Sequence, residues 1–402
     1  MPNILAVRRG GAIVPPLVAA VAILGCIALA ATQHYLLFLF AALFTLLVMG
    51  VPIAISLAGS CLLYVLLTGR VPDVVVMHRM INGVDSFPLL AIPFFILAGN
   101  LMNNGGITVR IFDFAKALMG WMRGGLGHVN VGASIVFSGM SGAAVADAGG
   151  LGTIEIKAMK DAGYDEEFSV GITAASSTIG PIIPPSLPMV IYGVMASVSV
   201  GQLFVAGLVP GLLMGLVLMA MITIISRRRG YTRDAVFSLP VLGHTFKRAF
   251  LSLLTPIIIV GGIMTGAFTP TEAAIAAVVY ALVLGGVVYR SLTWRRLLKV
   301  SMETIETTAV ILLIVAGASI FAWILTSNQV TQHVVTLLGP FADNPIATLI
   351  IINLVLIVVG CFMETIAAIT ILVPVLLPVA VTAGVDPVHF GVIMVLNLMI
   401  GL

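Results

Sequence analysis

The chain has 402 residues, of which 60% are hydrophobic and only 9% are charged. A soluble globular domain carries roughly 25% charged residues, so this composition excludes a soluble protein and predicts an integral membrane protein. The apolar stretches are continuous, about 15–25 residues long and without the alternation of a transmembrane β-strand, so they predict membrane-spanning helices. The expected fold class is therefore an all-α integral membrane protein. The three cysteines form no CxxC pair, which argues against a thiolate metal site.

Apolar segments recur along the whole chain. The first, 12–31, follows Arg8 and Arg9 as in a signal peptide, but no cleavage site precedes the next segment, so we expect a retained helix. Two stretches, 127–160 and 345–381, are interrupted by Gly, Ser or Glu, and each either crosses the bilayer twice or forms a re-entrant hairpin. The other predicted segments are 12–31, 35–50, 52–68, 87–103, 166–200, 203–226, 250–265, 271–289, 301–326 and 386–402.

The positions of Lys and Arg decide between these topologies, because cytoplasmic loops retain positive charge. With a cytoplasmic N-terminus and both interrupted stretches folded as hairpins, every Lys and Arg except Arg70 and Arg79 falls on the cytoplasmic side. The same topology leaves 107–122 and 328–341 as helices that lie along opposite membrane surfaces. It makes 227–249 a basic cytoplasmic loop.

An internal repeat relates the two halves of the chain. A single offset aligns Gly139 with Gly360 and Gly163 with Gly384. An odd number of predicted crossings separates repeat-related points, so the halves have opposite orientations, an arrangement typical of secondary transporters. Chance similarity between apolar helices is the alternative. The predicted domains are an extra N-terminal transmembrane helix (1–34), a first inverted repeat (35–226), the basic loop (227–249) and a second inverted repeat (250–402).

The first hairpin contains a run of small residues from Ser138 to Leu151, SGMSGAAVADAGGL, in which Asp147 is the one carboxylate. In a bilayer such backbone is stable where it lines a cavity enclosed by protein. The run therefore indicates a hairpin tip and second arm that bind ions or substrate; a small-residue helix contact is the alternative. Asp147 either caps a helix, pairs with Lys157 or Lys160, adjusts the nearby site or ligates an ion directly.

The span 166–200 is interrupted by Pro181, Pro184 and Pro185, which remove amide donors and forbid a regular helix. We predict a broken helix, with an unwound segment in mid-membrane; a simple proline kink is the alternative. Unwound carbonyl groups can bind a hard cation such as Na+, and half-helix N-termini attract an anion. The hydroxyl groups that can add oxygen ligands are those of Ser176, Ser177, Thr178 and Ser186.

Several other polar residues lie in or beside apolar segments. Glu364 is the only charged residue of the second hairpin and lies near its predicted tip, where it either binds an ion or caps a helix. Glu272 follows Thr269 at a predicted helix start, which fits capping. Asn100 and Asn397 are amides within apolar helices, and a packing hydrogen bond is expected for Asn100.

The tetrapeptide Gly139–Gly142 is also consistent with a different class of protein. Its sequence, GMSG, matches the GxSG motif of intramembrane serine proteases. A serine nucleophile needs a histidine base within hydrogen-bond reach. All six histidines lie at segment edges or in loops, so neither a protease nor any other enzyme is expected. The sequence contains no P-loop and no metal-ligand cluster, so direct nucleotide-driven transport is not expected either.

Five motifs, in order from about Gly50 to the end of the chain, resemble the large membrane subunit of TRAP (tripartite ATP-independent periplasmic) transporters, the DctM-like family. Among them GPIIPPS, coming after the hairpin motif, is quite specific. The motifs are IPFFILAGNLMNNGGI (92–107), FSGMSGAAVADAGGLGTI (137–154), GPIIPPS (180–186), GAFTPTEAA (266–274) and DPVHFGVIMVLNLMIGL (386–402).

The resemblance implies a sodium-driven importer of organic acids (carboxylates) in the bacterial inner membrane. It implies two protein partners, a small four-helix membrane subunit and a periplasmic substrate-binding protein. It also implies an elevator mechanism, in which a domain with both hairpins and both broken helices slides against a scaffold. Na+ is the coupling ion, with no other cofactor and no nucleic acid. A stand-alone sodium–anion symporter of related inverted-repeat fold and a non-transport scaffold subunit are the alternatives.

The resemblance assigns a sodium region to each half of the chain. One is near Ser138, Ser141 and Gly180, and the other is near Gly360, Thr365 and Asn397. The helix at 12–31 resembles one that links fused subunits, and the last broken helix is expected to be incomplete at Leu402. With the hydroxyls and the carboxylate named above, the predicted ion- and substrate-binding residues are Ser138, Gly139, Ser141, Thr178, Gly180, Pro181, Pro184, Ser186, Gly360, Glu364, Thr365 and Asn397.

Overall fold

The computed structural model describes residues 16–142, 144–342 and 345–402, which are helical apart from turns and one isolated β-bridge. A 3-10 turn at Phe87–Leu90 precedes α5, and a π-helical stretch at Val283–Val288 continues α14. The α-helices are α1 (Pro16–Ala31), α2 (Tyr35–Val48), α3 (Ile53–Thr68), α4 (Val74–Val84), α5 (Ala91–Asn104), α6 (Ile107–Met119), α7 (Gly125–Ser141), α8 (Ala144–Gly149), α9 (Leu151–Asp161), α10 (Glu166–Ser177), α11 (Leu187–Met195), α12 (Val200–Arg229), α13 (Leu239–Met264), α14 (Pro270–Leu282), α15 (Trp294–Ser327), α16 (Val330–Ala342), α17 (Pro345–Gly360), α18 (Thr365–Thr382) and α19 (Pro387–Gly401).

Within the described ranges, six helical stretches are long and apolar enough to cross a membrane. This confirms the predicted class, an all-helical membrane protein. The six stretches are Phe87–Asn104, Val200–Arg229, Leu239–Met264, Pro270–Val288, Trp294–Ser327 and Thr365–Thr382.

The interrupted segments break where the sequence predicts. The stretch 127–160 contains α7, α8 and α9, which turn at Gly142 and again at Gly150. The stretch 345–381 contains α17 and α18, joined at 361–364. The proline-rich span divides into α10 and α11, with 178–186 unwound between them. Helices also form at the two predicted surface positions, as α6 and α16, whereas α4 has no counterpart among the predicted segments.

The chain divides into two compact units. In the first unit, Phe40 packs edge-on against Phe321, with 5.7 Å between the ring centroids, and the Tyr64 hydroxyl donates a hydrogen bond to Asn328 over 3.0 Å. Gly317 lies against the backbone of α3, where no larger residue fits without displacing a neighbour. The described part of this unit comprises the residues up to Ser86, Ala309–Pro340 and Thr370–Val379.

The second unit contains the first hairpin and both halves of its broken helix, together with α17 and α19. One capping prediction and one packing prediction are confirmed here. Thr269 and Glu272 form a reciprocal capping box at the start of α14. Asn100 donates a packing hydrogen bond to Thr304 over 3.1 Å. The unit comprises Phe87–Thr308, Phe341–Ile369 and Ala380–Leu402.

At its base the first hairpin is fastened to the loop between α12 and α13. The Asp234 carboxylate accepts a hydrogen bond from the Leu126 amide at the start of α7 (2.8 Å) and another from the Tyr164 hydroxyl after α9 (2.6 Å). One carboxylate therefore joins the beginning of the first hairpin arm to the end of the second. We call Tyr164, Asp165, Arg229, Tyr231 and Asp234 the base clasp.

The second half of the base clasp is centred on Asp165. Its carboxylate accepts hydrogen bonds from the Tyr231 hydroxyl (2.6 Å) and the Arg229 guanidinium (2.7 Å). The Tyr231 hydroxyl and the Arg229 charge lower the pKa of Asp165, since both stabilise its ionised form. The contribution of Asp165 is therefore complete at neutral pH and is lost only as the pH falls through that lowered pKa.

We expect Asp234→Ala to lower the free energy of unfolding by about 2–3 kcal/mol, because two donors lose a charged acceptor at once. Tyr164→Phe removes one of the two bonds and should cost about half as much. Thermal unfolding of the detergent-solubilised protein measures both effects. The matched control is Asp161→Ala, an exposed acid at the end of α9. Equal midpoints for Asp234→Ala and Asp161→Ala would show that the base clasp does not hold the hairpin.

Candidate functional site

A buried set of polar side chains joins the first hairpin arm, α7, to the first half of the broken helix, α10. Asn130 donates a hydrogen bond to Thr173 (2.7 Å) and accepts one from Ser176 (2.6 Å). Ser134 donates to Ser176 over 3.2 Å. We call these four residues the polar seam. Sequence reasoning missed Asn130 and Ser134. These residues and Ser138 follow one another at intervals of four, which places them on one face of a helix, and this polar face was a signal that could have found them.

The tip of the first hairpin lies directly against the unwound segment 178–186. Gly142 ends α7 with a φ of +63°, and its carbonyl accepts a hydrogen bond from the Leu187 amide over 3.2 Å. A Cβ atom at Gly142 would lie 2.3 Å from the Pro185 carbonyl oxygen. Only glycine fits this approach. The fold thus brings together the two stretches that the sequence predicts as one site.

Within the unwound segment, the backbone groups are only partly satisfied. Ser186 caps α11 by accepting a hydrogen bond from the Met189 amide (3.2 Å), and it donates its own proton to the Pro181 carbonyl. Pro184 has no N–H, so the Gly180 carbonyl lacks the donor that a continuous helix would give it. A carbonyl in this position is the kind of oxygen ligand that a sodium ion requires.

The other predicted residues of this half present oxygen atoms near the same place. Ser138 is buried, and both Ser138 and Thr178 donate to carbonyl groups one turn earlier in their own helices, over 2.7 Å each. Their oxygen atoms still have acceptor capacity, which is what a cation ligand needs. Gly139 and Ser141 are in the last turn of α7, and the side chain of Ser141 lies outside the described residues.

In the second half, Gly360 and Asn397 both lie where α17 packs against α19. A Cβ atom at Gly360 would lie 2.9 Å from the Leu398 carbonyl oxygen. The Asn397 amide donates to the Asn353 side chain on α17 and to a carbonyl of its own helix over 2.8 Å. Asn353 is a third residue that sequence reasoning missed.

The tip of the second hairpin has the geometry of a helix start. Glu364 is exposed, and its carboxylate accepts a hydrogen bond from the Ala367 amide over 3.1 Å. This is N-cap geometry. The alternative role of Glu364, ion binding, stays a prediction. Thr365 is buried as the first residue of α18. The tip thus presents one exposed carboxylate and one buried hydroxyl.

The ion pairs expected for Asp147 do not form. Lys160 pairs instead with Glu166 over 2.9 Å, and Lys157 is exposed. Asp147 is buried, and its carboxylate oxygens have no hydrogen-bond partner among the described residues. The reason is geometric: Asp147 lies on α8, and the turn at Gly150 separates it from the lysines on α9.

A cavity of about 440 Å³ opens beside the start of the unwound segment, between α8, α10, α12 and α19. Its wall is mostly alanine, methionine and leucine, and Ser177 and Thr178 are the hydroxyl residues in its lining. Thr178 therefore lies both in the unwound segment and at the cavity wall. A small organic molecule in this cavity would lie next to the candidate ion site.

Comparison with known proteins agrees with the motifs. The family model described as "Tripartite ATP-independent periplasmic transporter, DctM component" matches residues 40–402. The large permease protein SiaM of a Vibrio cholerae sialic acid TRAP transporter is 50% identical over 89% of this chain and 84% of its own length. The sialic acid TRAP transporter permease protein SiaT of Haemophilus influenzae is 46% identical over 88% of this chain, which spans 57% of that relative. The C4-dicarboxylate TRAP transporter large permease protein DctM of Pseudomonas aeruginosa is 41% identical over 81% of this chain and 76% of its own length.

We expect Gly142→Ala to separate the hairpin tip from the unwound segment, because its Cβ atom would collide with the Pro185 carbonyl. The matched control is Gly163→Ala. Gly163 also has a positive φ, +84°, but its Cβ position is open, so this variant suffers only backbone strain of about 1–2 kcal/mol. Thermal unfolding with and without sodium measures both. The site model predicts that Gly142→Ala loses any stabilisation by sodium while Gly163→Ala keeps it; equal responses would contradict the model.

Proposed function

Since this chain belongs to the DctM family of tripartite ATP-independent periplasmic transporters, we propose that it uses a sodium gradient to import an organic acid across the bacterial inner membrane. The observation that carries the proposal is the contact between the hairpin tip at Gly142 and the unwound segment 178–186. Unwound backbone in mid-membrane is stable only where protein or a bound ligand satisfies it. A sodium ion is a ligand of the right charge and hardness for free carbonyl and hydroxyl oxygens.

In this proposal the first sodium site is formed by Ser138, Ser141 and the Gly180 carbonyl. Ser138 and the unwound segment belong to elements that the polar seam holds together, so the site is organised before an ion arrives. The second sodium site lies near Gly360, Thr365 and Asn397, where α17 packs against α19.

We propose that the inverted repeat relates the two sites. The repeat offset that aligns Gly139 with Gly360 also aligns Ser176 with Asn397. Each of these two residues hydrogen-bonds to an asparagine in the first arm of a hairpin; the asparagines are Asn130 and Asn353. The same offset does not align Asn130 with Asn353, so only one member of each contact is related by the repeat. A pair of related sites is the arrangement typical of a secondary transporter with inverted repeats.

For the substrate we propose a carboxylate. The names of two relatives refer to sialic acid and to C4-dicarboxylates, both of which carry carboxylate groups. In this chain the N-terminus of α11 begins at Leu187, beside the hairpin tip, and a helix N-terminus attracts an anion. The cavity beside Thr178 offers space for the rest of such a molecule.

We further propose that this subunit works with a small membrane subunit and a periplasmic substrate-binding protein, as the description of its family as tripartite and periplasmic implies. The transport step would be an elevator movement. The positive charge distribution supports a cytoplasmic N-terminus.

Uptake of sialic acid and of a C4-dicarboxylate into proteoliposomes tests the proposal, with the small subunit and a purified binding protein present. We expect uptake with an inward sodium gradient and only background uptake when potassium replaces sodium. Uptake that is indifferent to sodium would overturn sodium coupling. Uptake without any binding protein would instead identify a stand-alone symporter.

We expect Ser141→Ala and Pro184→Ala each to lower the apparent sodium affinity by roughly tenfold, which corresponds to about 1.4 kcal/mol. Ser141→Ala removes an oxygen ligand, and Pro184→Ala restores an N–H that competes with the ion for the Gly180 carbonyl. The controls are Ser60→Ala and Pro210→Ala, which change the same residue types within α3 and α12. The sodium dependence of uptake measures the affinity. Wild-type affinity in both site variants would remove these residues from the site.

A further inference from the structure

Two acids in the second arm of the first hairpin have no role in the sodium sites proposed above. Asp147 lies on α8 and Glu155 on α9, and each side chain is only 1% exposed. None of their four carboxylate oxygens has a hydrogen-bond partner among the described residues. Neither acid takes part in the ion pairs formed by those residues. Such groups are rare in folded proteins and call for an explanation.

The two acids lie on helices that pack against each other, and both helices pack against α7 and α10. An ionised Asp147 would disfavour the ionisation of Glu155, because like charges repel. The Ser134 hydroxyl lies close to Asp147, but its hydrogen bond goes to Ser176 in the polar seam. Gly152 packs so tightly against Thr173 that a Cβ atom would lie 2.6 Å from its methyl group. Water therefore has little access to the pair from this side.

The helices packed against the pair bring no neutralising charge to it. On α7 the titratable residue is His128, whose ring nitrogen contacts Thr223. At the start of α10, Glu166 pairs with Lys160, and Glu167 is exposed. The remaining charged residues of α9 and the following turn are exposed or engaged elsewhere: Lys157 and Asp161 are exposed, and Asp165 belongs to the base clasp.

Two ionised carboxylates in such a place would cost several kcal/mol each in lost hydration, and their mutual repulsion would add to this cost. A bound proton removes a charge without requiring any further ligand, whereas a sodium ion needs several converging oxygens. We propose that Asp147 and Glu155 form a proton-binding site, which retains at least one proton at neutral pH and thereby keeps the second hairpin arm packed against α10. This site is separate from the sodium sites and does not depend on them.

The first test measures stability against pH. If the folded chain holds a proton that the unfolded chain releases, stability falls as the pH rises above the ordinary range of a carboxyl group, from about pH 5 to about pH 8.5. We expect the unfolding midpoint of the wild type to fall over this range and that of the Asp147→Asn/Glu155→Gln double variant to stay nearly constant. The control is Asp161→Asn/Glu167→Gln, which changes two exposed acids of the same region. Equal slopes for wild type and double variant would overturn the proposal.

The second test detects the proton directly. An infrared spectrum of the wild type at neutral pH should contain the carbonyl band of a protonated carboxyl group, and Glu155→Gln or Asp147→Asn should reduce it. Each variant is measured alone, so one that folds poorly does not decide the result. Both replacements are neutral and close in shape to the protonated acid, which favours folding. A wild-type spectrum without this band, or a band unchanged in both variants, would overturn the proposal.

The third test separates a proton from a sodium ion. The unfolding midpoint is measured at constant pH in sodium chloride and in choline chloride of equal ionic strength. We expect the same sodium-dependent shift in the wild type and in the double variant, because the sodium ions bind elsewhere. A shift that the double variant loses would make the pair a sodium site and overturn the proposal. None of the three measurements involves transport, so their outcome is independent of the proposed function.

Discussion

The structure around the candidate site depends on one constraint: backbone polar groups inside a membrane must find partners within the protein. Three prolines break the helix between α10 and α11 and leave carbonyl groups without their helical donors. The fold answers this locally, with the Gly142 carbonyl accepting from the Leu187 amide and Ser186 serving both as cap and as donor. The hairpin tip and the break between α10 and α11 therefore satisfy part of each other's backbone hydrogen bonding. The Gly180 carbonyl, which loses its helical donor to Pro184, is the oxygen atom on which the proposed cation site depends.

The same constraint governs the contacts between helices. Apolar side chains gain little from packing in lipid, so hydrogen bonds between buried polar groups carry much of the specificity of helix association. The polar seam supplies such bonds between α7 and α10, and the pair of Asn353 and Asn397 supplies them between α17 and α19. In both cases the first arm of a hairpin is bound to a helix at the candidate site. For α7 this helix is α10, which leads into the unwound segment, and for α17 it is α19. The proposed ion sites therefore lie beside the same helix contacts that these hydrogen bonds stabilise.

Features that act on the local backbone were predictable from the sequence. The break at Pro181–Pro185 and the turn at Gly142 follow from the conformational limits of proline and glycine. The helix α4 escaped prediction because it is a short amphipathic helix that contains Arg79. The Asn130–Thr173 contact escaped because it joins positions 43 residues apart, and neither residue alone reveals its partner. The burial of Asp147 is a consequence of tertiary packing, and its sequence neighbours Lys157 and Lys160 point to the wrong partner.

The two ends of the first hairpin are held by different forces. The base clasp relies partly on an exposed ion pair between Asp165 and Arg229, whose side chains are 59% and 45% exposed. The tip is held by a backbone hydrogen bond and by the close fit of Gly142 against Pro185. Dissolved salt screens the first kind of contact and leaves the second almost unaffected. Higher ionic strength therefore weakens one of the contacts at the base of the hairpin and leaves the contact at its tip nearly unchanged.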